Sequence, residues 1–405
     1  MLRSMSSVIS GLNLNQTTLD IIGNNIANMG TTGYKAQTVS FADNLSQSMT
    51  DASSPTPTRG GSNPIQVGLG ASIVGVDTVL TQGNFQPTNR NLDCAIDGDG
   101  YFVVSEGPTL FNDGADKSGD NKEVGKETIK VDSDTHKMVD NPREANVLYT
   151  RDGSFKLDKE GNLITSAGYR ALGYSLVDNK AEKYGTDGAD KNTIQSMDDS
   201  GKINFVDANS IDAEKFSAIR VATNKVDKDG GTSTNYQNEL KTIKIPEMIK
   251  CPKEDGTFDP DDPKKCREVR VKNFSIDKNG LIKATLDDGS TSVIGQLAMA
   301  SFTNPGGLQK IGGNCVKESP NSGDPLLKSG YIGHYDSGDG FDQNAKAVDN
   351  SKSFGTVVNG CLEMSNVDIA EQFTKMIEAT RSFQANGKMI STGDEILQDL
   401  VNLKR

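Results

Sequence analysis

The sequence predicts a mixed, mainly β protein with an α-helix at each end, and three observations predict it. Apolar residues recur every seven positions near both termini. Between them, short runs alternate apolar with polar residues and are punctuated by Asp-Gly, Asn-Gly and Glu-Gly turns. Hydrophobic residues make up only 34% of the 405 positions and tryptophan is absent, so the core must be lean.

The N-terminal repeat is Met5, Leu12, Leu19 and Ile26, with Val8 and Ile22 on the adjoining position and Asn15 as its one polar member. This is the a/d seam of a heptad helix. Ser10, Asn13, Gln16 and Asp20 occupy the other face, and Gly30 is the expected stop. The C-terminal repeat is Ile369, Met376, Phe383, Ile390 and Leu397, extended by Phe373 and Val401. Ser365, Asn366 and Asp368 signal its start, with Glu371 completing a capping box. Lys404 and Arg405 suit the negative end of the helix dipole. Gly387 and Gly393 weaken this helix by about 1 kcal/mol each unless packing offsets them. The two seams are read either as ordinary amphipathic helices on separate cores or as partners. Neither has a helix nearby in sequence, which favours pairing as a coiled coil across residues 1–30 and 360–405.

Residues 31–75, rich in Pro, Ser, Thr and Gly toward Ala52–Ile73, read as an extended connector that returns over 345–359. Residues 76–174 and 269–344 read as one antiparallel β domain built from both halves of the chain, with Asn146–Thr165 and Phe274–Phe302 as meandering hairpins. Segment 112–145 reads as a charged surface insert, 318–353 as a second polar insert, and 175–268 as a small outer domain of undetermined fold.

The chemistry-bearing residues are sparse. His136 and His334 stand apart from any cysteine or second histidine at metal-ligand spacing. The sequence has no GxSxG elbow, P-loop or dinucleotide fingerprint. Asp97–Gly100 and Asp336–Gly340 hint at calcium but lack the remaining oxygen ligands and the closing glutamate, so they read as turns. No catalytic residue, metal site or cofactor is expected. A net charge of −12 argues against nucleic-acid binding. Cys94, Cys251, Cys266, Cys315 and Cys361 form no CxxC pattern, and Cys251 and Cys266 are either paired across a polar loop or free. Met1–Gly11 lacks the apolar stretch of a cleavable signal, and no run approaches the ~20 apolar residues of a membrane span. By the logic of general secretion the chain stays in the cytoplasm.

The terminal segments carry a family resemblance. Gly23, Asn24, Asn25, Ile26, Ala27 and Asn28, followed by Thr32, Gly33, Tyr34 and Lys35, resemble the N-terminal signature of the flagellar rod and hook proteins. Gly360, Leu362, Glu363, Ser365, Asn366, Val367 and Asp368 resemble their C-terminal signature. Interior stretches such as "YTRDGSFKLDKEGNLITSAGYRALGY" are similar to the β domain that these proteins share, and the matching parts cover about half of the chain. Cys94, Cys361 and Met29-Gly30 depart from the pattern, and residues 175–268 are shorter and less aliphatic than a full outer hook domain.

The resemblance implies a structural subunit of an open helical homopolymer, with no membrane insertion and the helix seams as its polymerisation interface. Length, insertions and the "SNVDIAEQF" and "LVNLKR" segments favour the family's hook members over its distal-rod members. A secreted calcium-binding or adhesive surface protein is the remote alternative. The resemblance further implies partnership with distal rod, hook cap and hook–filament junction proteins. It also implies export through the flagellar type III apparatus to the cell exterior, which reverses the cytoplasmic expectation.

Overall fold

The computed structural model describes residues 2–55, 57, 59–107, 109–110, 129–132, 137–140, 146–178, 196–197, 202–208, 219–221, 223–224, 237–253, 266–328, 335–336, 340–341 and 355–403. Most of insert 112–145, both histidines, the centre of Asp336–Gly340 and the closing Lys404 and Arg405 lie outside the described residues. The chain divides into two units, one of residues 1–83 with 365–405 and one of residues 84–364.

The first unit holds two long helices, α1 (Leu2–Ala27) and α2 (Ile369–Leu403), packed on one another. α1 ends before Gly30. The Asn28 side chain donates to the Asn24 carbonyl at 2.9 Å, and the Met29 amide turns back to Ile26 in a tighter turn. The first residue of left-handed conformation beyond it is Gly33, at φ 68°. At the start of α2, Asp368 Oδ1 accepts from the amides of Ala370 (2.8 Å) and Glu371 (3.3 Å). Half of the expected capping box is therefore made. The Glu371 carboxylate pairs forward with Lys375 at 2.7 Å.

The expected connector is instead a two-stranded arm. Gln37–Asp43 pairs antiparallel with Ala71–Thr78, and farther out Ser46–Thr50 pairs with Ile65–Gly68. Ser53 and Ser62 close the last bridge before the tip. The Pro- and Gly-rich composition describes the tip, whereas Val39 and Phe41 on one side and Ile73, Val74 and Val76 on the other supply strand formers. Of the return segment 345–359, the described part belongs to the second unit, where Thr356–Asn359 pairs with Cys94–Asp97.

The second unit is an antiparallel β structure in which strands from both halves of the sequence alternate. Arg170–Tyr174 pairs with Tyr101–Glu106 through Ala171 and Val104, with Gln237–Thr242 through Leu172 and Thr242, and with Thr291–Leu297 through Gly173 and Leu297. Cys266–Ile276, Leu281–Leu286 and Thr291–Leu297 form a meander whose turns place Gly280 and Gly289 at φ 77° and 83°. One core gathers Phe102, Phe155, Ile243, Ile249 and Leu297, with Phe102 and Phe155 edge to face at 5.3 Å. A second gathers Tyr149, Tyr174, Leu240, Val293 and Phe302.

The described parts of 175–268 are no separate domain. Ile203, Ile243 and Ile249 enter the first core, and Val206 and Leu240 enter the second. The reason is register, because Gln237–Thr242 hydrogen-bonds to Arg170–Tyr174, which brings Leu240 into the second core and Ile243, three positions on, into the first. Register also decides the cysteine question. Cys251 opposes Arg267 and Cys266 opposes Pro252. Directly opposed residues share a face and successive ones alternate, so the two thiols point to opposite faces and form no disulfide with one another.

Candidate functional site: the terminal helix pair and its asparagine clamps

The helices of the first unit run antiparallel in a register fixed by three contacts. The Asn25 amide donates to Gln372 Oε1 at 3.2 Å. Fourteen residues earlier in α1, Gly11 faces Asn386, fourteen residues later in α2, and a Cβ on Gly11 would lie 2.9 Å from Asn386 Nδ2. Met5 faces Gly393 in turn, its Cγ 3.9 Å from where a Cβ would stand. The equal and opposite steps between the first two contacts keep one stripe of each helix in contact over two heptads.

The contact line differs from the sequence-predicted seam. On α2 it follows Gln372, Ala379, Asn386 and Gly393, of which Gln372 and Ala379 are buried. Small and polar residues allow close approach there, and larger side chains flank the line. Ile22 is buried, while Met5, Val8, Leu12, Leu19 and Ile26 on α1 and Met376, Ile390 and Leu397 on α2 are half-buried. Ile369, Phe373 and Phe383 remain 44%, 49% and 42% exposed. The predicted residues thus fall into a group near α1 and a group turned from it.

Asn25 is the polar centre of this unit. Its Nδ2 donates to the Gln37 carbonyl (2.8 Å) and to Gln372, and its Oδ1 accepts from the Gln37 amide (3.0 Å) and the Tyr34 hydroxyl (3.2 Å). A primary amide has two donor hydrogens and two acceptor lone pairs, so all four are used at 1% exposure. The side chain pairs with both backbone groups of Gln37, as a neighbouring strand would. Asn366 performs the matching task from the segment that leads into α2. Its Oδ1 accepts from the Ala36 amide at 2.7 Å, and its Nδ2 donates to the carbonyls of Val79 and Thr81 at 2.9 and 3.0 Å. Buried Lys35 donates to the Thr81 carbonyl at 2.9 Å. Two asparagines, one on α1 and one in the segment just before α2, hold the base of the arm between them.

The remaining signature residues have local tasks. Asn24 accepts from Asn28 at 2.8 Å, Gly33 takes the left-handed turn, and Gly23 is exposed. Ser365 Oγ accepts from the Val367 amide at 3.3 Å. In the second unit, Gly360 at φ 73° turns the chain between Thr356–Asn359 and Cys361–Glu363, where half-buried Leu362 pairs with Gln86. Glu363 is buried and accepts from Arg151 Nε at 2.9 Å. Arg151 also donates to the carbonyls of Ile96 and Gly98, so a backbone oxygen of the Asp97–Gly100 turn is engaged by the guanidinium. Sequence reasoning missed Gln37, Gln372 and Arg151 as partners of the signature residues. A polar residue inside an apolar stripe, as at Asn25 and Gln372, was the available signal.

Several families match parts of the chain. "Flagella basal body rod protein" matches residues 5–35, "Flagellar hook protein FlgE/F/G D1 domain" residues 137–284, and "Flagellar basal body rod FlgEFG protein C-terminal" residues 358–403. The flagellar hook protein FlgE of Borreliella burgdorferi is 30% identical over 100% of both chains. The flagellar basal-body rod protein FlgG of Bacillus subtilis is 32% identical, also over 100% of both. A crystal structure of the Helicobacter pylori flagellar hook protein FlgE2 is similar over 69% of this chain and 100% of that one, at 14% identity and a TM-score of 0.32, too low to bear on the fold.

Proposed function

Because the chain belongs to the flagellar basal-body rod and hook protein family, we propose that it works as the hook subunit, polymerising into a curved helical tube that transmits torque from rod to filament. The observation that carries this reading is the likeness to a hook protein along the whole of both chains, termini and middle alike. Ile369, Phe373 and Phe383 support it, because one chain leaves them uncovered and neighbouring copies would bury them. An open tube needs head-to-tail contacts, since isologous ones close into dimers. The family is structural, and in this reading the chain catalyses nothing and needs no cofactor. Its neighbours are copies of itself, then distal rod, hook cap and hook–filament junction proteins, and it reaches them outside the cell through the flagellar type III apparatus.

A second reading, the distal-rod subunit, is favoured by the 32% identity to a rod protein over the same full length. Electron microscopy of the polymer formed in a flagellated bacterium from which the hook gene has been deleted separates the two. A curved tube supports the hook reading, a straight one the rod reading, and a strain with neither removes both.

A further inference from the structure

The arm does more than leave the helix pair at its base: it lies back along α1. Its inner strand begins at Gln37, held by Asn25, and ends near Asn44, whose amide donates to the Gly70 carbonyl at 2.7 Å. At that point the arm meets α1 again. A Cβ on Gly70 would stand 3.3 Å from Ser7 Cα and 3.4 Å from Ser10 Cβ, and would overlap Ser10 Oγ. The lengths agree. Gln37 to Asn44 spans about 23 Å of strand at roughly 3.3 Å per residue, and Asn25 back to Ser7–Ser10 spans about 24 Å of helix at 1.5 Å per residue. Beyond Gly70, every residue of Ser46–Thr50 and Ile65–Gly68 is exposed.

We propose that Gly70 and Ser10 form a docking point that fixes the direction in which the outer hairpin projects, acting together with the asparagine clamp at the base. Gly70 is suited to it twice over. Its φ of 114° lies where residues with a Cβ rarely go, and its missing side chain gives α1 the room it occupies. Ser10 is suited from the other side, being small and turning its hydroxyl into its own helix, where it donates to the Ser7 carbonyl at 2.8 Å. Two supports about 24 Å apart along one helix hold a two-stranded ribbon in one stance, whereas one support leaves it a pivot. Met49 and Ile65 of the outer hairpin are thereby presented at a set place relative to α1. This concerns the single chain and holds whether the polymer is hook or rod.

The test is a distance measurement on the full chain, with spin labels on genetically encoded ketone residues so that the native cysteines remain. Labels at exposed Gln16 and Gln66 report the stance of the outer hairpin, and labels at Gln16 and exposed Gln384 report the helix pair. Ser10→Leu puts bulk against Gly70 without altering the arm's own backbone, and Gly70→Ala removes the fit from the arm side. Both substitutions are expected to broaden or shift the Gln16–Gln66 distribution while Gln16–Gln384 stays as in the unsubstituted chain. A Gln16–Gln66 distribution unmoved by Ser10→Leu overturns the proposal, whatever Gly70→Ala does, because backbone strain alone then explains the glycine. Broadening of both distances together also overturns it, since the pair would then merely support the helices.

Discussion

Arg151 and Glu363 meet as a buried ion pair at 2.9 Å although 212 positions separate them. The guanidinium also serves two backbone carbonyls and lies 5.9 Å from the centre of the Tyr101 ring, so its charge is matched on several sides. The pair fastens Cys361–Glu363, the last strand of the second unit, to the Arg-Asp-Gly turn.

Truncating one partner leaves the other as an uncompensated buried charge. Glu363→Ala is therefore expected to cost about 3–5 kcal/mol, read as a lower denaturant midpoint for the tyrosine near-ultraviolet signal of the β unit. Arg151→Met combined with Glu363→Leu should recover much of that loss, because no charge is then stranded. A double variant as unstable as the single one would show that the hydrogen bonds to Ile96 and Gly98 matter more than the charge pair.

Gly153 makes a sharper prediction. It donates no side chain to the Arg-Asp-Gly turn, and its carbonyl accepts from the Cys94 amide at 3.0 Å. A Cβ on it would run into the Cys94 carbonyl, a backbone atom inside a paired strand that has little freedom to move. Gly153→Ala should cost about 3 kcal/mol or more, whereas Gly168→Ala meets no atom within 4 Å and bears only the cost of its φ of 90°. Thermal melts of the two variants side by side check the difference.

What the sequence made legible follows periodicity and local signals. The helices at both ends came from heptads, and the cap at Asp368 came from a carboxylate next to an apolar repeat. The hairpin turns came from Asp-Gly and Asn-Gly pairs. The arm was not legible, because its strands are interrupted near Ser40 and Ser48 and its Pro-rich tip dominates the composition. The work of Asn25 was hidden for another reason. Its partners Gln37 and Gln372 stand 12 and 347 positions away, and no spacing rule joins an amide to a strand start and a second helix at once. The seam was misplaced by one position on α1 and by three on α2, because a heptad count finds the large apolar residues. The helices touch most closely where residues are small, at Gly11 and Gly393.

The cysteines divide by environment. Burial pushes the Cys94 and Cys251 thiols up to about 12 and the Cys315 thiol to about 11, in each case mainly by removing the thiolate from water. Burial also raises the Tyr149 and Tyr174 hydroxyls. At pH 8 the native chain should therefore react with a thiol reagent rapidly at the partly exposed Cys266 and Cys361 and slowly at the other three. The sign of the linkage follows. The folded state favours the protonated groups, so stability is full below the ordinary thiol pKa and falls as pH rises from about 9 toward 12. Unfolding curves collected across that range, together with a labelling time course resolved by peptide mass, test both halves.

Helix α2 supports the last prediction. Phe373 lies one residue past buried Gln372 and turns outward, and Phe383 stands outside the contact line drawn by Ala379 and Asn386. Neither ring is needed to fill the space between α1 and α2, so replacing either with glutamate should change the stability of the isolated chain by no more than about 0.5 kcal/mol. A polymer is another matter. If copies of the chain cover these rings, each subunit would bury an unpaired carboxylate at a tightly packed contact, at a cost of several kcal/mol. That cost recurs at every subunit added. Phe373→Glu and Phe383→Glu are thus expected to give normal melting and helix content in the separate chain, with loss of tubes by electron microscopy and loss of motility. Normal tubes from both variants would place the polymer contacts elsewhere on the molecule. Collapse of the isolated chain would mean that the rings serve its own fold.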